Sequence, residues 1–257
     1  MTTIIPSAQK TKIIYPESDG KRMADNTKQF ELILKFEGSI DALFRNDPHV
    51  FIAGDLLWYP VEGAPKICAA PDIMVVFGRP KGHRGSYKQW EEDNIAPQVV
   101  FEILSPGNTQ IEMTKKFAFY DRYGVEEYYL YDPDRVELIG WIRQNNRLEL
   151  IEDMNNWISP RLGIRFDMSG EELEIFSPDG ERFLTYVELA QLTEQERQRA
   201  DLEKVLAQQE KQRAEEAEIL AQQEKQRAEE AETKIAEQEE RIKQLLAQLG
   251  PNNLDSV

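Results

Sequence analysis

From about residue 190 the chain changes composition: Gly and Pro vanish until Gly250, and Ala, Glu, Gln, Lys and Arg take over. No other feature limits the fold so sharply. Without the residues that turn a backbone, and with the best helix formers in their place, the segment 191–250 has one regular option, a long helix. Within it AQQEKQRAEEAEIL (207–220) is followed directly by AQQEKQRAEEAETK (221–234), a near-exact tandem repeat of 14 residues, or two heptads. With Ala207 at heptad position a, the seam reads Ala207, Ala214, Ala221, Ala228, Ile235, Ile242 and Leu249, with Glu210, Ala217, Glu224, Ala231, Gln238 and Leu245 at d. Ala and polar d residues bury little area. The expectation is therefore a coiled coil that pairs marginally, chiefly through Ile235, Ile242, Leu245 and Leu249, into a parallel homodimer. A solvated single helix is the other reading of the same pattern. Residues 251–257 are expected to be a disordered terminus.

The formal charge of -16 over 257 residues argues against broad, salt-driven attraction to nucleic acid or anionic membrane, so a polyanionic partner must meet a local basic patch. Cys68 is the single cysteine and forms no intrachain disulfide. The opening MTTIIPSAQKTKIIYPESDG lacks the charged-then-apolar pattern of a signal peptide, and no apolar run approaches the roughly 20 residues that span a bilayer. The expectation is a soluble cytoplasmic protein with no membrane partner.

Ahead of the tail, residues 1–25 read as a loose N-terminal arm rich in Pro, Ser, Asp and Gly. Residues 27–44 place Phe30, Ile33, Leu34, Glu37, Ile40, Asp41 and Phe44 mostly on one helical face. VFIAGDLLWYP, APDIMVVFG and QVVFEIL read as half-buried or fully buried strands. TQIEMTKKFAFYDRYG (109–124) reads as a helix stopped by Gly124, and VEEYYLYDP and VELIGWIRQNNRLELI as a strand and a hairpin turned at QNN. This order predicts, over residues 26–190, an α/β domain with a mixed sheet covered by helices.

Two acids stand out. Asp72 follows Pro71 at the mouth of the strand PDIMVVF, and Glu102 lies inside the apolar run of QVVFEIL. If the two strands are neighbours, the carboxylates face each other, and two close anions in a poorly solvated site call for a cation between them. A hard divalent ion with oxygen ligands, Mg²⁺ or Mn²⁺, suits such a pair. It would activate water and polarise a phosphodiester oxygen while a nearby ammonium stabilises the developing charge. Lys115 and Lys116 are at hand in the next helix; Lys116 shares a face with Tyr120, four residues on, and Lys115 points about 100° away, which favours Lys116. Each residue also has a structural reading: Asp72 as a turn or cap residue, Glu102 as one half of an ion pair with an Arg, and the lysines as solvated helix residues. Asp55 is either a turn acid or a further ligand, with the turn preferred.

GRPKGHRGSYKQW (78–90) carries Arg79, Lys81, Arg84 and Lys88 with no acid among them. Lying between Asp72 and Glu102 in sequence, these four are candidate DNA contacts; a solvated hairpin loop is the alternative. His49 and His83 have no metal-ligand spacing, and no Walker-type, dinucleotide, zinc or GxSxG pattern is present.

PD at 71–72, FEILSP at 101–106 and EMTKKFAFYDRYGVEEYYLYDP at 112–133 together resemble the Uma-two endonuclease-like family of the PD-(D/E)xK restriction-endonuclease-like superfamily. The resemblance covers roughly residues 15 to 190. It implies a restriction-endonuclease-like fold with Asp72 and Glu102 as metal ligands. The superfamily pattern places a Lys two residues after the Glu; here Leu104 occupies that position, and the family's Lys falls in the following helix, at Lys116. Glu112 matches a position usually acidic in the family. The resemblance thus implies a divalent-metal-dependent endonuclease hydrolysing DNA, with Asp72, Glu102 and Lys116 as its catalytic set. The alternative is an inactive nuclease-fold scaffold or regulator acting through its coiled-coil tail.

Overall fold

The computed structural model describes residues 13–20, 22 and 24–249, and for Leu249 only the backbone. Most of the arm's first half, the terminus 251–257 and the Leu249 seam side chain lie outside the described residues. The chain divides into two units after Leu189.

In the first unit, helix α1 (Thr27–Leu43) starts at Asn26, whose side chain accepts from the Gln29 N–H. Its buried residues are Gln29, Ile33, Phe36 and Ile40, while Phe30 and Leu34 are 42% and 50% exposed. The expected face is thereby corrected: it is rotated toward Phe36, because the strands beneath α1 select a stripe with Gln29 at one end. Strands β1 (Val50–Gly54), β2 (Trp58–Tyr59), β3 (Ile73–Phe77), β4 (Tyr87–Lys88) and β5 (Val99–Ile103) follow, then helix α2 (Gln110–Tyr123) and strands β6 (Glu127–Asp132), β7 (Glu137–Gln144), β8 (Arg147–Leu150), β9 (Arg165–Asp167) and β10 (Glu174–Phe176). The β7–β8 turn uses Asn145 and Asn146 with φ of 47° and 66°, the left-handed pair a tight hairpin needs. Gly124 ends α2 at φ 93°.

Six strands form one sheet in the order β1-β3-β5-β6-β7-β8. Within this sheet β5 and β6 are the parallel pair, and α2 is the crossover that such a pair requires. The central strands β3 and β5 are apolar at every position but Glu102 because both faces are covered. Ile73, Val75, Val99, Phe101 and Ile103 join Ile33, Phe36 and Ile40 of α1 in one core, and Met74, Val76, Val100 and Tyr128 join Tyr120 of α2 in another. Even-numbered positions on β3 and β5 thus point toward α2, and Glu102 is one of them.

The second unit is helical from Ala190 to Leu249, as the greater part of helix α3 (Tyr186–Leu249), and its side chains are exposed through Gln248. Its large apolar residues are about half exposed, from 44% at Leu192 to 66% at Leu246. No helix among the described residues is long and apolar enough to cross a membrane.

Candidate active site

Strands β3 and β5 run antiparallel with Ile73 opposite Phe101, which brings Asp72 opposite Glu102 at one end of the sheet. Asp72 Oδ2 accepts the Ile103 N–H at 2.6 Å. Both acids are buried, at 8% and 2% exposure, so their charges are nearly stripped of water. Helix α2 supplies the answering groups from its inner face. Lys116 Nζ donates to Glu102 Oε2 at 2.7 Å and to the Ala70 carbonyl at 3.3 Å, and the Tyr120 hydroxyl donates to Glu102 Oε1 at 2.5 Å. Glu102 therefore does sit in an ion pair, with Lys116 instead of an Arg. Lys115 makes no such contact but lines the same cavity.

Burial, reinforced by the Glu102 charge, pushes the Asp72 carboxyl up to about 8 against the partial relief of Lys116. Burial works to lower Lys116, but Glu102 and Asp72 outweigh it and raise it, so the ammonium is firmly charged. Asp55 is raised too, by burial and by Asp19. It stands at φ 48°, its N–H directed to the Pro71 and Asp72 carbonyls at 3.1 and 3.3 Å. It is a turn residue, and its side chain faces the cavity as well.

That cavity, of about 650 Å³, is lined by Gln29, Asp55, Asp72, Glu112, Lys115 and Lys116 among others. Glu102 lies behind this lining, under Lys116. The donor set fits a hard divalent cation: two opposed carboxylates, one of them driven to retain a proton, are what an added positive charge would relieve. Among the described residues no group of three or more His, Cys, Asp or Glu is arranged to hold a metal. An ion at Asp72 and Glu102 would therefore complete its shell from backbone carbonyls, water or substrate.

The four basic loop residues are not brought to the carboxylates, and none of them lines the cavity. Arg79 pairs with Glu92 and Asp93, and Arg84 with Glu92 while stacking 3.9 Å over the Phe51 ring. Lys81 pairs with Asp41 and Lys88 with Glu91. The topology explains this. Asp72 precedes β3 and Glu102 ends the antiparallel β5, so the segment joining the strands leaves at the opposite end, about 17 Å away.

Sequence reasoning assigned no role to Gln29, Tyr120 or Asp25. Gln29 Nε2 donates to the Ile103 carbonyl at 2.8 Å, so the residue whose N–H holds Asp72 is gripped from the α1 side through its carbonyl. Gln29 Oε1 accepts the Asp25 N–H, and Asp25 accepts the Ser105 hydroxyl at 2.6 Å. The signals were present: Gln29 is the polar member of a stripe spaced four, three and four residues apart, and Tyr120 is four residues beyond Lys116. The Tyr128 hydroxyl, on the α2 side of the sheet, is the one buried side-chain polar atom without a hydrogen-bond partner among the described residues.

The sheet is mixed, with a helix packed on each face and its parallel pair joined by a crossover helix, as the sequence predicts. The Uma2 family model, described as "Putative restriction endonuclease", matches residues 23–210, and the chain belongs to that family. No curated protein matches. Among solved structures the chain is similar to "a putative nuclease belonging to DUF820 from Anabaena variabilis ATCC 29413", at 18% identity over 52% of this chain and 72% of that one, with a TM-score of 0.39.

Proposed function

We propose that the protein is a divalent-metal-dependent endonuclease that hydrolyses phosphodiester bonds in DNA. The observation that carries the reading is the convergence of Asp72, Glu102 and Lys116 at one strand end beside a cavity, in a chain of a nuclease family. Asp72 and Glu102 would hold Mg²⁺ or Mn²⁺, which when bound polarises a phosphodiester oxygen and provides activated water. Lys116 keeps its proton and presents positive charge where negative charge develops on the phosphate. Tyr120 fixes the rotamer of Glu102 from below, and Gln29 holds the carbonyl of Ile103, the residue whose N–H holds Asp72. The acidic lining, with Asp55 and Glu112 beside Asp72, repels a polyanion, and a bound cation offsets that repulsion. A homodimer joined through the helical tail belongs to the same proposal.

The scaffold reading draws on a different observation: both Glu102 oxygens are held by protein groups, and the loop cations are engaged by acids. Cleavage of supercoiled plasmid and single-stranded DNA by purified protein with Mg²⁺, Mn²⁺ or EDTA separates the two. Metal-dependent cutting that disappears in both Asp72→Ala and Glu102→Ala supports the enzyme; no cutting, or cutting that persists in both variants, favours the scaffold.

A further inference from the structure

We propose that residues 207–249 pair with the same segment of a second copy as a parallel, in-register coiled coil, whose orientation is set by charges at heptad positions e and g. The inference rests on the homodimer part of the reading above and is independent of its chemistry.

With Ala207 at a, a basic residue at g faces, in a parallel pair, the e residue five positions further along the partner. From Arg213 onward this rule joins Arg213 to Glu218, Arg227 to Glu232 and Lys234 to Glu239 of the second copy, and twofold symmetry repeats each contact. The remaining e and g combinations in that stretch join Leu220 to Lys225 and Arg241 to Leu246, with no like-charge pair. An antiparallel pair would instead set g against g and e against e. The charged g residues of the segment are all basic and the charged e residues, Lys211 and Lys225 apart, are Glu, so that arrangement is largely repulsive. Upstream the rule sets Arg199 against Lys204, which is why the paired segment begins near residue 207.

Two further observations point the same way. The tandem repeat spans two whole heptads, so it copies the Arg213 and Glu218 pair into Arg227 and Glu232 without shifting the register. Each copy of the repeat also holds one ion pair within the helix: Lys211 with Glu215 at 3.8 Å and Lys225 with Glu229 at 3.9 Å. Arg213, Glu218, Arg227, Glu232, Lys234 and Glu239 have no ion-pair partner among the described residues. Ile235 and Ile242 at a and Leu245 at d, half exposed in the single chain, supply the apolar end of the seam.

The test uses the full chain. In a Cys68→Ser background, Ala214→Cys places a thiol at an a position, where it meets its own copy in a parallel, in-register pair and lies about 42 Å from it in an antiparallel pair over the same residues. Oxidised glutathione is expected to convert most of the chain to a disulfide-linked dimer. Alongside, Glu218→Lys, Glu232→Lys and Glu239→Lys together, or Arg213→Glu, Arg227→Glu and Lys234→Glu together, should each raise the sedimentation dissociation constant by about tenfold or more. Mixing the two charge-reversed chains should restore a dimer containing one of each. A noncovalent dimer that does not crosslink at residue 214 overturns the orientation while leaving homodimerisation standing. Charge-reversed chains that dimerise as tightly as the parent overturn the role of the charges. A full chain that stays monomeric overturns the homodimer itself and leaves the endonuclease reading to the cleavage assay.

Discussion

Strand β5 and the second copy of the tail repeat are both regular, yet the same residue type means opposite things in them. All five side chains of β5 are buried, Glu102 included, whereas the fourteen residues 221–234 are all exposed. In the strand a carboxylate is expensive to keep, so its neighbours had to be built around it: Lys116, Tyr120 and the peptide linking Glu102 to Asp72. In the tail a Glu costs nothing to expose, and what distinguishes one Glu from another is its heptad position. Identity is thus set by three-dimensional neighbours in the first unit and by a one-dimensional register in the second.

Matched substitutions test that contrast. Glu102→Ala should cut metal-dependent cleavage by about a thousandfold or more, while Glu230→Ala, at an outward heptad position, should leave it unchanged; plasmid nicking rates decide. Equal losses at both sites would break the comparison by giving the tail a share in the chemistry. In the core, Phe101→Ala removes a ring packed on Phe36 and Tyr129 and should cost about 3–5 kcal/mol in urea unfolding. Leu206→Ala in the tail should cost less than about 0.5 kcal/mol.

That contrast also governs how much was legible in the sequence. The helix at 110–123, its Gly124 stop, the Asn-Asn hairpin and the long tail helix rest on local signals, and the structure has them. The approach of Asp72 to Glu102 needed only the assumption of neighbouring strands. What was not legible depended on layers and strand direction. The α1 face was misread because Phe30 and Leu34 are apolar yet have no layer to cover them, while Gln29 is polar and buried against the Ile103 carbonyl. The basic loop is a candidate DNA contact in the sequence because it lies between the two acids there. An acid before one strand and another at the end of its antiparallel neighbour instead put the connecting loop at the far end of the sheet.

A smaller effect sharpens the comparison through pH. The Asp72 carboxyl ordinarily titrates at 3.8 and is raised to about 8 in the fold. Between those values the folded state holds a proton that the unfolded state has released. Stability must therefore fall as pH rises across that window, by at most about 1.4 kcal/mol per unit, and the effect vanishes below about pH 4. Relative to Asp72→Asn, the metal-free parent should lose roughly 2 kcal/mol between pH 5 and pH 7 in urea unfolding. Saturating Mn²⁺ should remove the difference, because an ion at Asp72 takes the place of the proton. A parent and variant with parallel pH profiles would mean that Asp72 keeps its charge in the fold and needs no such relief.

The smallest effect compares two threonines. Thr109 caps α2, its hydroxyl accepting the Glu112 N–H, and Thr109→Ala should cost about 1 kcal/mol. Thr233 lies within the tail with its hydroxyl turned back on the Glu229 carbonyl, and Thr233→Ala should be neutral or slightly stabilising, since Ala is the better helix former. The cap matters because α2 has a fixed place: its first turn must begin where Lys116, about two turns from the cap, falls above Glu102. Loss of the cap should therefore appear in urea unfolding of the first unit, with Lys116 still paired in the folded fraction. If both substitutions shift stability alike, α2 draws its stability from helical propensity as the tail does, and the packing of Tyr120 against Trp58 and Tyr128 contributes less to holding it than their contacts imply.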